Sequence, residues 1–184
     1  MEVVEAIKGR RSIRRYKATP VNDEQLNTVL EAARWAPSWA NSQCRSFVLV
    51  RDVETKERLI DTINPGNRAI AAIKQAPALI VACAQKGRAG YRQGTIATDK
   101  GDWFMFDVAL ATQNMALAAH ALGLGTLHVG SFDAPKAAEI VGVPEDVAVV
   151  TMMPLGYPDE QPVAPERKEL KEFVFWEKYG QREC

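Results

Sequence analysis

Apolar and polar residues alternate along the chain in patterns that predict helices and strands in turn. Within residues 20–37 the apolar side chains recur three and four positions apart, the spacing of an amphipathic helix, at Leu26, Val29, Leu30 and Ala33. Asn22 and Gln25 have the types and the spacing of a capping box at its start. Pro37 ends the helix, since proline disfavours helical backbone in the residue before it.

Two stretches are apolar without such alternation. Residues 78–83, ALIVAC, predict a strand that is buried on both faces of a sheet. Residues 103–122 have the length of a membrane span, but Asp107, Asn114 and His120 interrupt them, and charge inside a bilayer is costly. We therefore predict a helix buried in a soluble core or at a subunit interface. Because this helix is apolar nearly all round and needs cover on every side, it indicates a dimer.

The remaining segments predict shorter elements. A helix near the N-terminus ends at Gly9, a strand covers 46–50, and a helix begins at Asp133. The polar stretch 85–101 has no period and is long for a connection, which leaves a lid or a disordered loop as its two interpretations. Since strands alternate with helices and no linker divides the chain, we predict a single α/β layered domain over residues 1–184.

The bulk composition excludes several classes of function. The chain has 184 residues, of which 23 are basic and 23 are acidic, and a nucleic-acid or membrane-surface partner usually requires a basic excess. Three widely spaced cysteines and two histidines give neither a disulfide framework nor the spacing of zinc ligands, so we expect no metal site. No apolar signal core follows the N-terminus, and we expect the protein in the cytoplasm.

Positive charge is nevertheless concentrated in two short segments. Residues 9–16, GRRSIRRY, contain four arginines, and residues 165–170, PERKEL, contain a second basic pair. One interpretation is a solvated turn whose cations complement the end of the preceding helix. The other, which we favour, is a site that holds a phosphate from two sides. Residues 37–43, PSWANSQ, add groups that can bond the polar edge of a ring, whereas Asp159 and Glu160 predict an acidic pair on a surface turn.

Taken together and in this order, four segments resemble the FMN-dependent nitroreductase family. They are AIKGRRSIRRY at 6–16, LEAARWAPSWANSQ at 30–43, DVALATQNMALAAHALGLGT at 107–126 and PLGYPDEQPVAPERK at 154–168. The resemblance implies a three-layer α-β-α fold of the α+β class with a mixed, mainly antiparallel central sheet. It also implies a homodimer with FMN at the subunit interface and with the C-terminal segment exchanged onto the partner.

The resemblance also assigns roles to single residues. The phosphate and the ribityl chain of FMN would be held by Arg10, Arg11, Ser12, Arg167 and Lys168. Arg14 would lie near the pyrimidine edge of the flavin ring, and Asn67 would reach its polar edge. The partner subunit would contribute Pro37, Ser38, Trp39 and Asn41. The other side of the ring would face His128, Val129, Gly130 and Ser131. Substrate contacts would come from Trp39, Tyr91 and Arg92.

The activity implied by the resemblance is a ping-pong oxidoreductase. NADH or NADPH would pass a hydride to the flavin, and a nitroaromatic, a quinone or a similar acceptor would then take the electrons. Arg14 and Gly130 would tune the flavin, with no protein nucleophile. Departures from the family pattern at Trp39, at 44–45 and at Gly130 bear on the choice of substrate. Two alternatives stay open: a specialised flavin enzyme for reductive dehalogenation or flavin degradation, and a flavin-binding sensor or storage protein with little turnover.

Overall fold

The computed structural model describes residues 1–182; Cys184, one of the three cysteines, lies outside them. The helices are α1 (Val3–Gly9), α2 (Asp23–Arg34), α3 (Val53–Ile60), α4 (Ala69–Gln75), α5 (Phe104–Ala121), α6 (Ala134–Val141) and α7 (Leu170–Phe173). The strands are β1 (Arg45–Val50), β2 (Ala78–Gln85), β3 (Tyr91–Arg92), β4 (Thr95–Ile96), β5 (Gly125–Thr126) and β6 (Val147–Gly156).

Four strands form one sheet in the order β1-β2-β6-β5, and each neighbouring pair is antiparallel. A parallel contact joins this sheet at its edge as an isolated bridge between Ser12 and Thr126. β3 and β4 form a separate hairpin. The expected mixed, mainly antiparallel sheet therefore consists of antiparallel strand pairs, and the bridge beside β5 is its parallel component.

β2 lies in the middle of the sheet and is buried on both faces, as its apolar run predicts. Leu79, Val81 and Cys83 belong to a core that includes residues of α3, α4 and α6. Ala78 and Ile80, on the opposite face, belong to a second core that includes residues of α2 and α5. The sheet thus lies between two helical layers, and the expected three-layer arrangement is confirmed.

The helix boundaries with local signals agree with the sequence. The side chain of Asn22 accepts the N–H of Gln25, and the predicted capping box of α2 is formed. The side chain of Asp133 accepts the N–H of Lys136 at the start of α6. These ends could be predicted because each cap lies within three residues of the group that it satisfies.

α5 is the longest helix, with 18 residues. Much of it is buried against α2 and the sheet, but Met105 and Phe106 near its start are 56% and 52% exposed. Within residues 1–182 no helix has the length and apolar character that crossing a membrane requires. The prediction of a buried helix is confirmed, and its exposed apolar end is left for a further surface to cover.

Of the two interpretations of the stretch 85–101, the disordered loop is wrong. The stretch contains the ordered β3–β4 hairpin instead of a disordered loop. Trp103 holds the hairpin at its base: its indole Nε1–H donates to Thr98 Oγ1 at 2.8 Å, and its backbone N–H donates to the carbonyl of Ala89 at 3.0 Å. The order comes from a tryptophan just outside the stretch, so the composition of the stretch itself did not indicate it.

Candidate functional site

The arginine-rich segment 10–16 follows α1 and is attached to the edge of the sheet. Ser12 bridges Thr126 of β5, and the N–H of Ile13 donates to the carbonyl of Thr126 at 2.9 Å. The buried hydroxyl of Tyr16 donates to the carbonyl of Ile13 at 2.8 Å, and burial raises the pKa of that phenol. These bonds fix the backbone from which the arginine side chains project.

Glu160 fixes the same segment from the chain that follows β6. One of its carboxylate oxygens accepts the backbone N–H of Arg14 at 2.5 Å and that of Arg15 at 3.2 Å. The other lies 3.7 Å from Nε of Arg15. The interpretation of Glu160 as half of a surface acidic pair is therefore wrong: this carboxylate is half-buried and binds backbone that lies 146 residues away in sequence.

Three arginines form a cluster of positive charge at the end of α1. Arg10 and Arg11 line a small pocket together with Arg167 from the C-terminal tail. Desolvation lowers the pKa of Arg10, and the charges of Arg11 and Arg167 lower it further. Within residues 1–182 none of the three forms an ion pair with a carboxylate. Like charges held together without a counter-charge are unfavourable, and a bound anion would relieve them.

A larger pocket, of about 650 Å³, opens beside this cluster. Arg10, Arg11 and His120 line it, together with the turn after α5 and the chain after β6. A Cβ placed on Gly9 would lie 2.7 Å from Nε2 of His120, so the glycine lets α1 approach the imidazole closely. Desolvation and then the charges of Arg10 and Arg11 lower the pKa of His120. The side of the pocket formed by Arg10 and Arg11 therefore favours negative charge, whereas Asp159 and Glu160 line another part of its wall.

The loop 128–131 lies close to the same cluster. Val129 is buried and pairs with Met152 of β6, which anchors the loop to the sheet. His128, Gly130 and Ser131 are exposed around that anchor. Desolvation and then the charge of Arg10 lower the pKa of His128, although the residue is exposed at the surface. Arg10 is thus the group that links the arginine segment, the pocket and this loop.

Loop 37–44 lies at the opposite end of α5, where it surrounds a buried carboxylate. Asp107 is 0% exposed, and it accepts the N–H of Trp39 at 2.9 Å and the hydroxyl of Ser42 at 2.8 Å. Ala40, Asn41 and Gln43 have positive φ angles of 44°, 54° and 47°. Each non-glycine residue in this region costs about 1 kcal/mol, so the loop persists only because other contacts hold it.

The β3–β4 hairpin is attached at this same end of α5. Trp103, which holds the hairpin, packs with Trp39 against one small core that contains Cys44 and Val108. Tyr91 is half-buried and Arg92 is exposed on the hairpin. The three residues expected to contact substrate therefore belong to elements at one end of α5.

Known proteins with similar sequences and structures identify the family. Residues 7–157 match the family model described as "Nitroreductase family". The chain belongs to the nitroreductase family. It is 32% identical over 164 residues to an NADPH-flavin oxidoreductase of Vibrio harveyi. The aligned region covers 86% of this chain and 67% of that protein.

Solved structures of nitroreductases have the same fold. An FMN-dependent nitroreductase from Clostridium difficile R20291 matches with a TM-score of 0.80 and 27% identity, covering 96% of this chain and 99% of that one. The NADPH:FMN oxidoreductase of Vibrio harveyi, solved as a complex with NAD+, matches with a TM-score of 0.81 and 29% identity, covering 98% and 79%.

This nitroreductase chain divides the expected site residues between two places. Arg10, Arg11 and Arg167 come together near the end of α5, with Ser12 and the loop 128–131 close by. Loop 37–44 and the hairpin lie near its start. The positions of Asp107 and His120 on α5 are 13 residues apart in sequence, which corresponds to about 20 Å along a helix. A single subunit therefore does not bring the two groups together.

Among residues 1–182, two expected cofactor contacts, Asn67 and Lys168, line neither of the two pockets. The side chain of Asn67 accepts the N–H of Ala69 at 2.9 Å, which uses its carbonyl to begin α4. Lys168 is exposed in the tail. Their roles at the flavin remain predictions.

Three side chains that shape the site were not singled out for it from the sequence. In the sequence, Asp107 and His120 stand out only as polar interruptions of an apolar helix, and Glu160 predicts part of a surface turn. An acid inside an otherwise apolar helix is a usable signal, because such a group must find donors when it is buried. Nothing local indicated which donors these would be.

Proposed function

We propose that this nitroreductase binds FMN and transfers electrons from NADH or NADPH to small oxidised acceptors. The observation that carries the proposal is the cluster of Arg10, Arg11 and Arg167, which lacks an ion pair within residues 1–182 and adjoins the pocket of about 650 Å³. Guanidinium groups suit phosphate oxygens, and the volume is that of a cofactor site. The names of the relatives, an NADPH-flavin oxidoreductase and an FMN-dependent nitroreductase, support both cofactors.

The residues present fit the phosphate end of FMN well. Arg10 and Arg11 would bind the phosphate from the end of α1, and Arg167 and Lys168 from the tail. Ser12 would bond the ribityl chain from the sheet edge to which its backbone is fixed. A doubly charged phosphate would offset the repulsion among the arginines, so the cluster is prepared for the cofactor before it arrives.

The two separated groups favour a site shared by two subunits. Loop 37–44 lies near the start of α5 and the arginine cluster near its end, about 20 Å apart along the helix axis. If two copies pack with their α5 helices antiparallel, the start of one helix meets the end of the other. This homodimer would place Pro37, Ser38, Trp39 and Asn41 at the partner's cofactor and would form two equal sites.

Exposed apolar side chains also support the dimer. Val3, Val4 and Ile7 give α1 an apolar face that is 54% to 69% exposed, and Phe106 is exposed on α5. In the tail, Leu170 and Phe173 are 70% and 55% exposed. Apolar groups of this number normally lie in an interface, which fits the exchange of the C-terminal segment onto a partner.

FMN, when bound, supplies the chemistry by accepting a hydride from NAD(P)H and passing electrons to the second substrate. The protein binds, orients and shields it. Arg14 would place positive charge at the pyrimidine edge, and Gly130 would offer its N–H from a position with no atom within 4 Å of a Cβ placed there. Trp39, Tyr91 and Arg92 would contact the acceptor, a nitroaromatic, a quinone or a similar compound. The cytoplasm stays our prediction for the location.

An anaerobic absorbance spectrum tests the proposal. The purified protein, loaded with FMN, is examined before and after addition of NADH and then of NADPH. Bleaching of the flavin bands by either donor is the expected result and also gives the donor preference. A protein that cannot be loaded with FMN would refute the proposal, and a bound flavin that neither donor reduces would favour a sensor or a storage protein.

Arginine variants test the site itself. Arg10→Ala or Arg14→Ala removes one charge-assisted contact, worth about 1.5–3 kcal/mol, so the dissociation constant of FMN should rise by roughly ten- to a hundredfold. Arg34→Ala is the matched control, because Arg34 is an exposed arginine on α2 that pairs only with Glu31 among the salt bridges of residues 1–182. Unchanged FMN affinity in both site variants would contradict the assigned roles. The measurement is a fluorescence titration of FMN.

A further inference from the structure

We propose that Asp107 is a positioning residue of the flavin site, which fixes loop 37–44 in the shape that meets the flavin of the partner subunit. The inference rests on the proposed function, in which this loop belongs to the partner's site. Asp107 itself is fully buried. It therefore acts on the cofactor through the loop.

The hydrogen bonds of Asp107 are directed at one element. Oδ1 accepts the N–H of Trp39, whereas Oδ2 accepts the hydroxyl of Ser42 at 2.8 Å and the thiol of Cys44 at 3.5 Å. These donors lie 63 to 68 residues away in sequence, and all come from loop 37–44. Burial of a carboxylate is costly even when it is bonded, and an apolar side chain of similar size would serve the core as well. The arrangement points to a requirement for one loop shape.

The backbone of the loop shows why it needs this support. Ala40 and Asn41 are in the left-handed region, and Gln43 joins them there after Ser42. Asp107 holds the chain on both sides of the first two, at Trp39 before them and at Ser42 after them. Strained backbone of this kind persists only where its surroundings determine it. Without the carboxylate, the loop keeps internal bonds such as that from the N–H of Gln43 to Ser38 Oγ at 3.0 Å, but it loses the two that tie Trp39 and Ser42 to α5.

The shape of the loop determines where its outward-facing residues lie. Pro37 and Asn41 are exposed, and Ser38 and Trp39 are half-buried. All four are expected contacts of the partner's flavin. Asp107 thus fixes from inside the protein the positions of groups that act at its surface, and pre-organisation of this kind strengthens binding by reducing the ordering that binding requires.

Two substitutions separate hydrogen bonding from volume. Asp107→Leu leaves the N–H of Trp39 and the hydroxyl of Ser42 without an acceptor. Asp107→Asn keeps an acceptor for Trp39, and its amide can donate to the Ser42 oxygen. We expect the leucine variant to weaken FMN binding by roughly tenfold or more and to shift the bound flavin spectrum towards that of free FMN, and the asparagine variant to stay within about threefold of the unchanged protein.

A control separates positioning from general loss of stability. Val29→Ala creates a cavity in the core shared by α2 and α5 and leaves loop 37–44 untouched. It should lower the free energy of unfolding while FMN affinity and the flavin spectrum stay the same. Should the leucine variant fail to fold, Ser42→Ala removes one donor from the carboxylate and should weaken FMN binding by about threefold.

Mixed dimers test whether Asp107 acts across the interface. Co-expression of an Asp107→Leu subunit with an Arg14→Ala subunit gives dimers in which one site has both changes and the other has neither. We expect one of the two sites in each mixed dimer to bind FMN with the original affinity and spectrum. If Asp107 served the site of its own subunit, no site would be restored.

The inference is overturned if Asp107→Leu keeps the original affinity and spectrum, if Val29→Ala loses as much FMN affinity at equal loss of stability, or if mixed dimers restore no site. An unchanged FMN affinity of Ser42→Ala would overturn it where the leucine variant does not fold. Failure of the unchanged protein to bind FMN would instead refute the proposed function, so the two failures are distinguishable.

Discussion

Gly125→Ala is a sharp test of how the arginine segment is held. A Cβ placed at Gly125 would lie 2.5 Å from Cγ1, 2.8 Å from Cβ and 3.1 Å from Cγ2 of Ile13. Ile13 is 6% exposed and lies between Ser12 and Arg14. Alanine at position 125 would therefore push the segment away from the sheet at the point where it carries the proposed phosphate and flavin contacts.

The magnitude follows from the contact. Forcing an extra methyl group into a packed site costs about 1–3 kcal/mol, and three close approaches to a stiff β-branched side chain argue for the upper half of that range. Ile13→Ala alone should cost about 2–4 kcal/mol through the cavity that it leaves. The double variant should cost less than the sum by about 1 kcal/mol, because removal of the γ carbons eliminates two of the three close approaches and leaves only the one to Cβ at 2.8 Å.

The assay is urea unfolding of the flavin-free protein, with an FMN titration of each variant. Gly130→Ala is the control for stability, since a Cβ at Gly130 meets no atom within 4 Å, and its free energy of unfolding should change by less than about 0.5 kcal/mol. An unchanged free energy of unfolding in Gly125→Ala, or strict additivity in the double variant, would refute the reasoning.

Two further predictions concern titratable groups. Desolvation and then arginine charges lower the pKa values of His120 and His128, so on acidification the unfolded chain binds protons before the folded one. The free energy of unfolding of the flavin-free protein should therefore fall as the pH drops below about 6.5. Replacing both histidines by glutamine should remove this slope, as measured by urea unfolding between about pH 7.5 and 5.5. Burial raises the pKa of Cys44 and raises that of Cys83 to about 11. In a Cys184→Ser background both thiols should react with a disulfide reagent at pH 8 far more slowly than after unfolding, and fast labelling of the folded protein would contradict their burial.

Much of the fold could be predicted because its signals are local. The capping box of α2 joins Asn22 to a residue three positions away, and the run from Ala78 is apolar because both faces of β2 are covered. The β3–β4 hairpin had no such signal. Its order depends on Trp103, which lies outside the polar stretch and whose indole N–H donates to Thr98.

The residue types of the candidate site could be predicted from the sequence, but their arrangement could not. Four arginines in eight residues are compatible with a solvated turn or with an anion site, and the structure favours the second by placing Arg10 and Arg11 beside Arg167. The roles of Asp107 and Glu160 depend on partners 63 to 68 and 145 to 146 residues away. No spacing rule reaches across such separations, so only the folded chain assigns these two carboxylates.

α5 fixes the distance between the two groups of candidate site residues that lie at its opposite ends. The helix carries Asp107, which fixes loop 37–44, and ends beside His120 and the arginine cluster. Both groups are therefore positioned by one rigid helix of 18 residues. The distance between them is set by the helical rise of about 1.5 Å per residue and does not depend on flexible connections. In an antiparallel pair of such helices, the distance between loop and cluster across the interface follows from the register of the two helices alone. In the proposed dimer a change in that register would displace both sites equally, so the apolar side chains that fix the packing of α5 would also set where loop 37–44 meets the partner's flavin.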